Sequence, residues 1–182
     1  MIKYLFIFMI FLFSTNLKAN NKENIINNLK NTKNINFDFE QNINKKIEKG
    51  NCIIEYPKKI YCEYSGSNDK ILVSNGKSLV IKTKVGYYRY PLIKTPLYLI
   101  LDKNFLINKI NKLEERIVDN SIINFTIKEN NYEVNIFFDE RTFNLIGWQT
   151  KDVYQNLNIT FLSSINRNEV IDKDIFKLPI QN

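Results

Sequence analysis

Residues 71–81 read ILVSNGKSLVI. Two apolar arms, Ile71–Val73 and Leu79–Ile81, flank a polar tip, Ser74–Ser78. Asn-Gly between apolar runs is the strongest short-range hairpin signal, because both central residues of a type I′ turn need φ > 0. The stretch therefore predicts two antiparallel strands joined at Asn75-Gly76. The arms say more than the turn does. A sheet with one wet face alternates apolar and polar residues, whereas these arms are apolar at every position. Something must cover both faces of this hairpin, and what covers them bears on the function.

The neighbouring segments extend the same sheet. Gly50–Tyr56 and Ile60–Tyr64 are strand candidates, with Pro57-Lys58-Lys59 turning between them. Folding this hairpin about Pro57 sets Cys52 opposite Cys62, which predicts a disulfide. By the loop-entropy estimate it would contribute ~2–3 kcal/mol. A redox pair would usually sit as C-x-x-C at a helix start, so a structural bridge is the expectation. Upstream, Ile35, Phe37 and Phe39 alternate with Asn36, Asp38 and Glu40 as a half-buried strand. Before it, Lys22–Lys33 reads as an amphipathic helix with Ile25, Ile26 and Leu29 on one face.

Downstream, Tyr87–Tyr90 is a further strand candidate. Thr95–Leu101 then reads as a short helix, with Thr95 as its cap and Pro96 in its first position. It is apolar nearly all round, so in a small domain it must lie between layers or over a cavity. Strands follow over 115–118, 122–128, 132–138, 143–150 and 155–162. Tyr132, Val134, Ile136 and Phe138 share one face, and Leu157, Ile159 and Phe161 another. Not every short segment need form a strand, and the expectation is around nine or ten antiparallel strands with two helical segments, a mainly β (α+β) chain. A sheet that large curls. With helices across its mouth, one face of the 71–81 arms would meet a packed edge and the other an enclosed cavity. Pattern alone equally admits a two-sheet sandwich.

The chain opens with Met1-Ile2-Lys3, an apolar run from Tyr4 to Phe13, and a polar stretch reaching Ala19. This predicts a signal peptide over 1–19, cut after Ala19; the run is shorter than the ~20 residues needed to span a bilayer. Residues 20–182 are expected to form a single domain, not lipidated, since the only cysteines are Cys52 and Cys62. Lys3 and Lys18 fall in the leader, so the remainder carries 24 of the 26 basic residues against 19 acidic ones. Its lysines are scattered, whereas a nucleic-acid footprint is a stripe. No nucleic-acid partner is expected. Asn124-Phe125-Thr126 and Asn158-Ile159-Thr160 match the glycosylation pattern, but a chain so rich in Asn produces such matches freely.

The chain has no histidine. That removes the commonest general base and metal ligand. Two cysteines without histidine make a poor zinc site, and no glycine-rich phosphate loop is present. Glu114-Glu115 and Asp139-Glu140 are neighbours on strands and point to opposite faces. No enzyme, cofactor or metal is expected; a carboxylate mechanism would need two carboxylates facing each other in one cleft. What remains is apolar capacity, with 13 Phe and 10 Tyr, many at period-two positions. An exported, aromatic-rich curved sheet suits the holding of an apolar ligand away from water.

Residues 71–79, followed by Thr95-Pro96-Leu97-Tyr98-Leu99, resemble the periplasmic lipoprotein carrier family LolA, which shows L-V-S-D-G-K-x-L and later T-P-x-x-L. Phe39-Glu40-Gln41 is similar to its early F-x-Q strand, Tyr56-Pro57 to its R-P turn, and Phe176–Pro179 to its F-x-x-P ending. The resemblance implies an incomplete β-barrel covered by short helices that enclose a hydrophobic cavity. It implies a monomeric carrier in the periplasm that binds lipoprotein acyl chains. The cargo would come from an inner-membrane ABC-type transporter and go to an outer-membrane acceptor. Each buried methylene is worth ~0.8 kcal/mol, so a multiply acylated protein does not cross water unaided. The candidate cavity residues are Phe37, Phe39, Ile54, Leu72, Leu79, Ile81, Leu97, Leu99, Leu101, Phe138, Trp148 and Phe161. Tyr56 stands where the family has an Arg that latches the closed lid; a hydroxyl offers one donor where a guanidinium offers five. Either the latch is weaker, or Lys58 or Lys59 serves, or the lid does not open and close in the family's way. The alternative reading is a periplasmic lipid or glycolipid carrier, or an envelope sensor domain, of the same fold.

Overall fold

The computed structural model describes residues 21–66, 69–151 and 156–181; the expected signal peptide lies outside them. Helix α1 (Asn21–Asn31) buries Ile25 and Leu29, one turn apart. Six strands follow as a meander: β1 (Asn34–Ile43), β2 (Lys46–Glu55), β3 (Lys59–Tyr64), β4 (Ile71–Asn75), β5 (Ser78–Lys82) and β6 (Tyr87–Pro91). A 3-10 turn (Leu92–Lys94) leads into α2 (Leu97–Leu101) and α3 (Lys103–Lys112). A second meander runs through β7 (Arg116–Val118), β8 (Ile122–Glu129), β9 (Tyr132–Asp139), β10 (Leu145–Lys151) and β11 (Leu157–Arg167). A last 3-10 turn covers Lys173–Phe176.

The two meanders meet where β1 pairs with β11. The resulting 11-stranded sheet runs β6-β5-β4-β3-β2-β1-β11-β10-β9-β8-β7, leaving β6 and β7 as its edges, so it is not closed into a barrel. It is strongly curled. β5 and β10 lie six strand spacings apart, about 30 Å in a flat sheet, yet Leu79 and Ile81 of β5 line the same cavity as Trp148 and Thr150 of β10. The core fills the inside of this curl with inward residues of both meanders and the buried faces of α1, α2 and α3.

The 71–81 arms are covered twice. Leu72, Leu79 and Ile81 face the inner cavity. Val73 and Val80 pair across β4 and β5 on the other face, at 1% and 0% exposure. There the C-terminal segment packs on β3 and β4, Phe176 is buried, and Lys82 Nζ donates to the Ile180 carbonyl at 3.0 Å. The apolar outer face is thus sealed by the chain's own tail.

Four local expectations are corrected. The hairpin tip is not a type I′ turn. Gly76 has φ 93° while Asn75 keeps negative φ. The Asn75 carboxamide accepts from the backbone N–H of Lys77 and of Ser78, each at 3.0 Å. An Asn side chain mimics a backbone turn in this way, so only the glycine needs a left-handed backbone. Thr95 does not cap α2 with its side chain: its hydroxyl donates to the Leu92 carbonyl at 2.8 Å, and Pro96 occupies the cap position. A third helix, α3, joins the two expected. Asp102 caps it by accepting from Phe105 N–H at 3.2 Å, and Leu106 and Ile110 form its buried stripe.

The fourth correction concerns β11, whose inward face carries Thr160 and Leu162 while Leu157 and Phe161 are exposed. Gly147 explains the placing of Phe161. It pairs with Phe137 on one side and Phe161 on the other. With no side chain between them, the two rings stack across it at 5.9 Å on the outer surface. A Cβ at Gly147 would lie 3.3 Å from both.

Candidate functional site

Period-two alternation carried across the register builds the site. One inward row runs Phe37, Cys52, Cys62, Leu72, Ile81, Tyr88 over six neighbouring strands. The next runs Ile35, Ile54, Ile60, Ser74, Leu79, Tyr90. Ser74 is the polar member, and its hydroxyl donates to the Lys58 carbonyl at 2.9 Å. Cys52 and Cys62 are bonded as a disulfide. A third row sets Phe39 beside Gly50 and Tyr64. A Cβ on Gly50 would lie 2.8 Å from the Phe39 ring. The glycine thus makes room for Phe39 to meet Tyr64 edge-on at 4.9 Å.

These rows and the start of α2 line a partly open cavity of about 230 Å³. Six of the twelve expected residues line it: Phe39, Leu72, Leu79, Ile81, Leu97 and Trp148. The others stand elsewhere. Phe37 lies beneath, edge-on to Trp148 at 6.3 Å. Ile54, Leu99, Leu101 and Phe138 are packed core at 0–1% exposure. Phe161 is on the outer face at 48% exposure, for the reason given by Gly147. The walls also include Ile43, Ile60 and the disulfide, together with polar Gln41, Tyr64, Lys70, Thr95, Thr150, Asn158 and Thr160. Continuing the alternation of β1 past Phe39 reaches Gln41 and Ile43. The polar liners escape any reading that equates inward with apolar.

Lys70 is the cation at the cavity wall. Its ammonium lies 2.6 Å from Glu48 and 3.9 Å from the centre of the Tyr64 ring. Burial pushes the Glu48 carboxyl up, but hydrogen bonds and charge from Lys70 and Lys46 outweigh this and hold it below the usual range. Burial, reinforced by Glu48, pushes the Tyr64 hydroxyl up.

Among the described residues, Tyr56 does not reach the helices through its hydroxyl. Its hydroxyl is buried without a hydrogen-bond partner, and burial raises its pKa. Lys59 pairs with Glu55 at 2.8 Å on the neighbouring strand. Lys58 is the residue that reaches the helices. Its backbone N–H donates to the Leu101 carbonyl at 2.9 Å, and its ammonium stands 3.0 Å from Asp102 Oδ2. It also lies 4.9 Å from the centre of the Tyr98 ring. Neither Asn-x-Thr sequence is a surface site: Asn124 is 2% exposed and Asn158 lines the cavity. No helix among the described residues is long and apolar enough to cross a membrane.

An open, curled sheet around a largely apolar cavity, bordered by the start of a short helix, is the frame of a class of binding protein. The family described as outer membrane lipoprotein carrier protein LolA matches residues 30–179, and the chain belongs to that family. Among solved structures the chain is similar to an uncharacterized conserved protein from Thermus thermophilus, with a TM-score of 0.52 at 6% identity over 88% of this chain and 94% of that one. At that identity the likeness is one of fold. It is also similar to a LolA superfamily protein from Nitrosomonas europaea, with a TM-score of 0.45 at 7% identity over 86% and 97% of the two chains. The lipoprotein LppX of Mycobacterium tuberculosis gives a TM-score of 0.43 at 9% identity over 84% and 96%. No curated protein matches the sequence.

Proposed function

We propose that this protein is a monomeric periplasmic carrier of acylated lipoproteins. It receives them from an inner-membrane ABC-type transporter and passes them to an outer-membrane acceptor. The observation that carries this reading is the partly open, largely apolar cavity of about 230 Å³ bordered by the start of α2 in a chain of the lipoprotein carrier family. Sites for drug-sized ligands are usually ~300–1,000 Å³, so cargo with several acyl chains requires α2 to move outward. Moving it exposes Leu99, Ile100 and Leu101 and breaks the Lys58–Asp102 contact. Each buried acyl methylene returns ~0.8 kcal/mol. The cost of opening offsets part of that gain and keeps the cargo transferable. Lys58 takes the latching role, with Tyr56 as packing. Tyr88 and Tyr90, 54% and 45% exposed on the edge strand β6, continue the inner rows to the rim.

Trp148, the only Trp, lines the cavity and reports on its filling. The test is native mass spectrometry of the protein purified from a periplasm, with a lipid extract alongside. A bound acylated lipoprotein, absent from the Leu97→Glu variant, is the expected result. A phospholipid or glycolipid instead would establish the lipid-carrier alternative. Protein that is empty under every condition, and that releases no lipoprotein from spheroplasts, overturns the reading.

A further inference from the structure

We propose that the cavity has a built polar subsite selecting cargo with a neutral hydrogen-bond donor beside its acyl chain, an amide N–H or a hydroxyl. This rests on the carrier reading above. The subsite lies across three adjacent strands. Gln41 of β1 pairs with Thr160 of β11, which pairs with Trp148 of β10. One row over, Ile43 pairs with Asn158, which pairs with Thr150. All six side chains line the cavity.

Part of this wall is already satisfied. Tyr64 donates to Gln41 Oε1 at 3.4 Å, and Gln41 Nε2 donates to Thr160 Oγ1 at 3.1 Å. Asn158 is different. Its Oδ1 is sealed from solvent and finds no hydrogen-bond partner among the described residues, a costly state for a carbonyl. The terminal torsion of Asn is broad, so a modest rotation turns this acceptor toward a donor in the cavity. An ester or a bare methylene chain brings no donor. A phosphate finds no spare cation: Lys70, the charged liner, is held by Glu48 at 2.6 Å. The chemistry that completes the wall is therefore neutral and donating. An N-acylated protein terminus and a hydroxylated fatty chain both supply it.

The experiment titrates the wild-type protein by Trp148 fluorescence with two matched pairs. One is N-methyldodecanamide against N,N-dimethyldodecanamide; the other is methyl β-hydroxydodecanoate against methyl dodecanoate. The donor-bearing member of at least one pair is expected to bind about five- to tenfold more tightly. The pair with the larger ratio identifies amide or hydroxyl as the source. Asn158→Leu should bring that ratio to within about twofold. A purely structural lesion would weaken both members alike and leave the ratio unchanged, which would overturn the assignment to Asn158. Equal binding within both wild-type pairs overturns the subsite while leaving the carrier reading intact. Failure of all four ligands to bind overturns both. The wild-type ratios stand without the variant.

Discussion

Lys58 ties the β2–β3 turn to the junction of α2 and α3 through its backbone N–H, its ammonium and the Tyr98 ring. The hydrogen bond to Asp102 holds the Lys58 ammonium above its ordinary pKa. Burial pushes Asp102 up, but hydrogen bonds from Lys58 and from Phe105 N–H outweigh it and hold the carboxyl below the usual range. The contact is partly exposed, with the two side chains 32% and 15% accessible, so it is worth about 1 kcal/mol or less. Lys58→Met should therefore speed uptake of an apolar dye by up to about fivefold in stopped-flow fluorescence. Adding Lys58→Met to Asp102→Asn should change little beyond the Asp102→Asn effect. The pH dependence follows from the signs. A depressed Asp102 contributes closure that is complete above the ordinary carboxylate value and lost as pH falls through the lowered one. A raised Lys58 contributes closure that persists up to the ordinary lysine value and is lost above it. Dye uptake should thus be slowest between roughly pH 4 and 10 and rise on acidification. Asp102→Asn should remove the acid-side rise, and an unchanged acid limb in that variant would place the titrating group elsewhere.

Helix α2 has two sides with different work. Leu97 lines the cavity at its N-terminal end, while Leu99, Ile100 and Leu101 are core. Leu97→Glu should leave the circular dichroism spectrum and melting temperature near those of the wild type while abolishing acyl-ligand binding by Trp148 fluorescence. Leu99→Glu places a charge in packed core and should prevent folding. It is therefore a test of stability, not of the site. The apolar run Leu97–Leu101 is legible as a covering helix because no polar face exists to meet water. Helix α3 is not among the elements expected from the sequence; its local signal, the Asp102 cap and the four-residue spacing of Leu106 and Ile110, is obscured by the surrounding Asn and Lys. β11 is less legible. Leu157, Ile159 and Phe161 form a regular apolar face, yet they lie outward. The inward register is set by pairing with β1, and Gly147 gives Phe161 a partner outside.

Across the whole molecule, the disulfide ties β2 to β3 in the cavity wall. Replacing both Cys52 and Cys62 by Ser should cost ~2–3 kcal/mol by the loop-entropy estimate and lower the melting temperature by about 5–10 °C. A calorimetric change under 1 °C would mean that the bridge does not constrain the unfolded chain. Most strands, the order of their hairpins and the cysteine pairing were readable from residue order, because each depends on contacts between near neighbours in sequence; the turn chemistry at Asn75-Gly76 and the presence of a cavity rather than a sandwich core were not. Side-chain alternation is a local quantity. The division of inward residues into core and cavity wall was not readable. Phe39 and Phe37 have the same periodicity, and only the curl of the sheet, which brings β5 to β10, places one at the cavity and the other beneath it. Nor were the contacts of Lys58 with Leu101 and Asp102, or the placing of Asn158 and Gln41 in the cavity wall. Those depend on distances between segments far apart in the chain, and such distances are set by long-range pairing and packing rather than by local pattern.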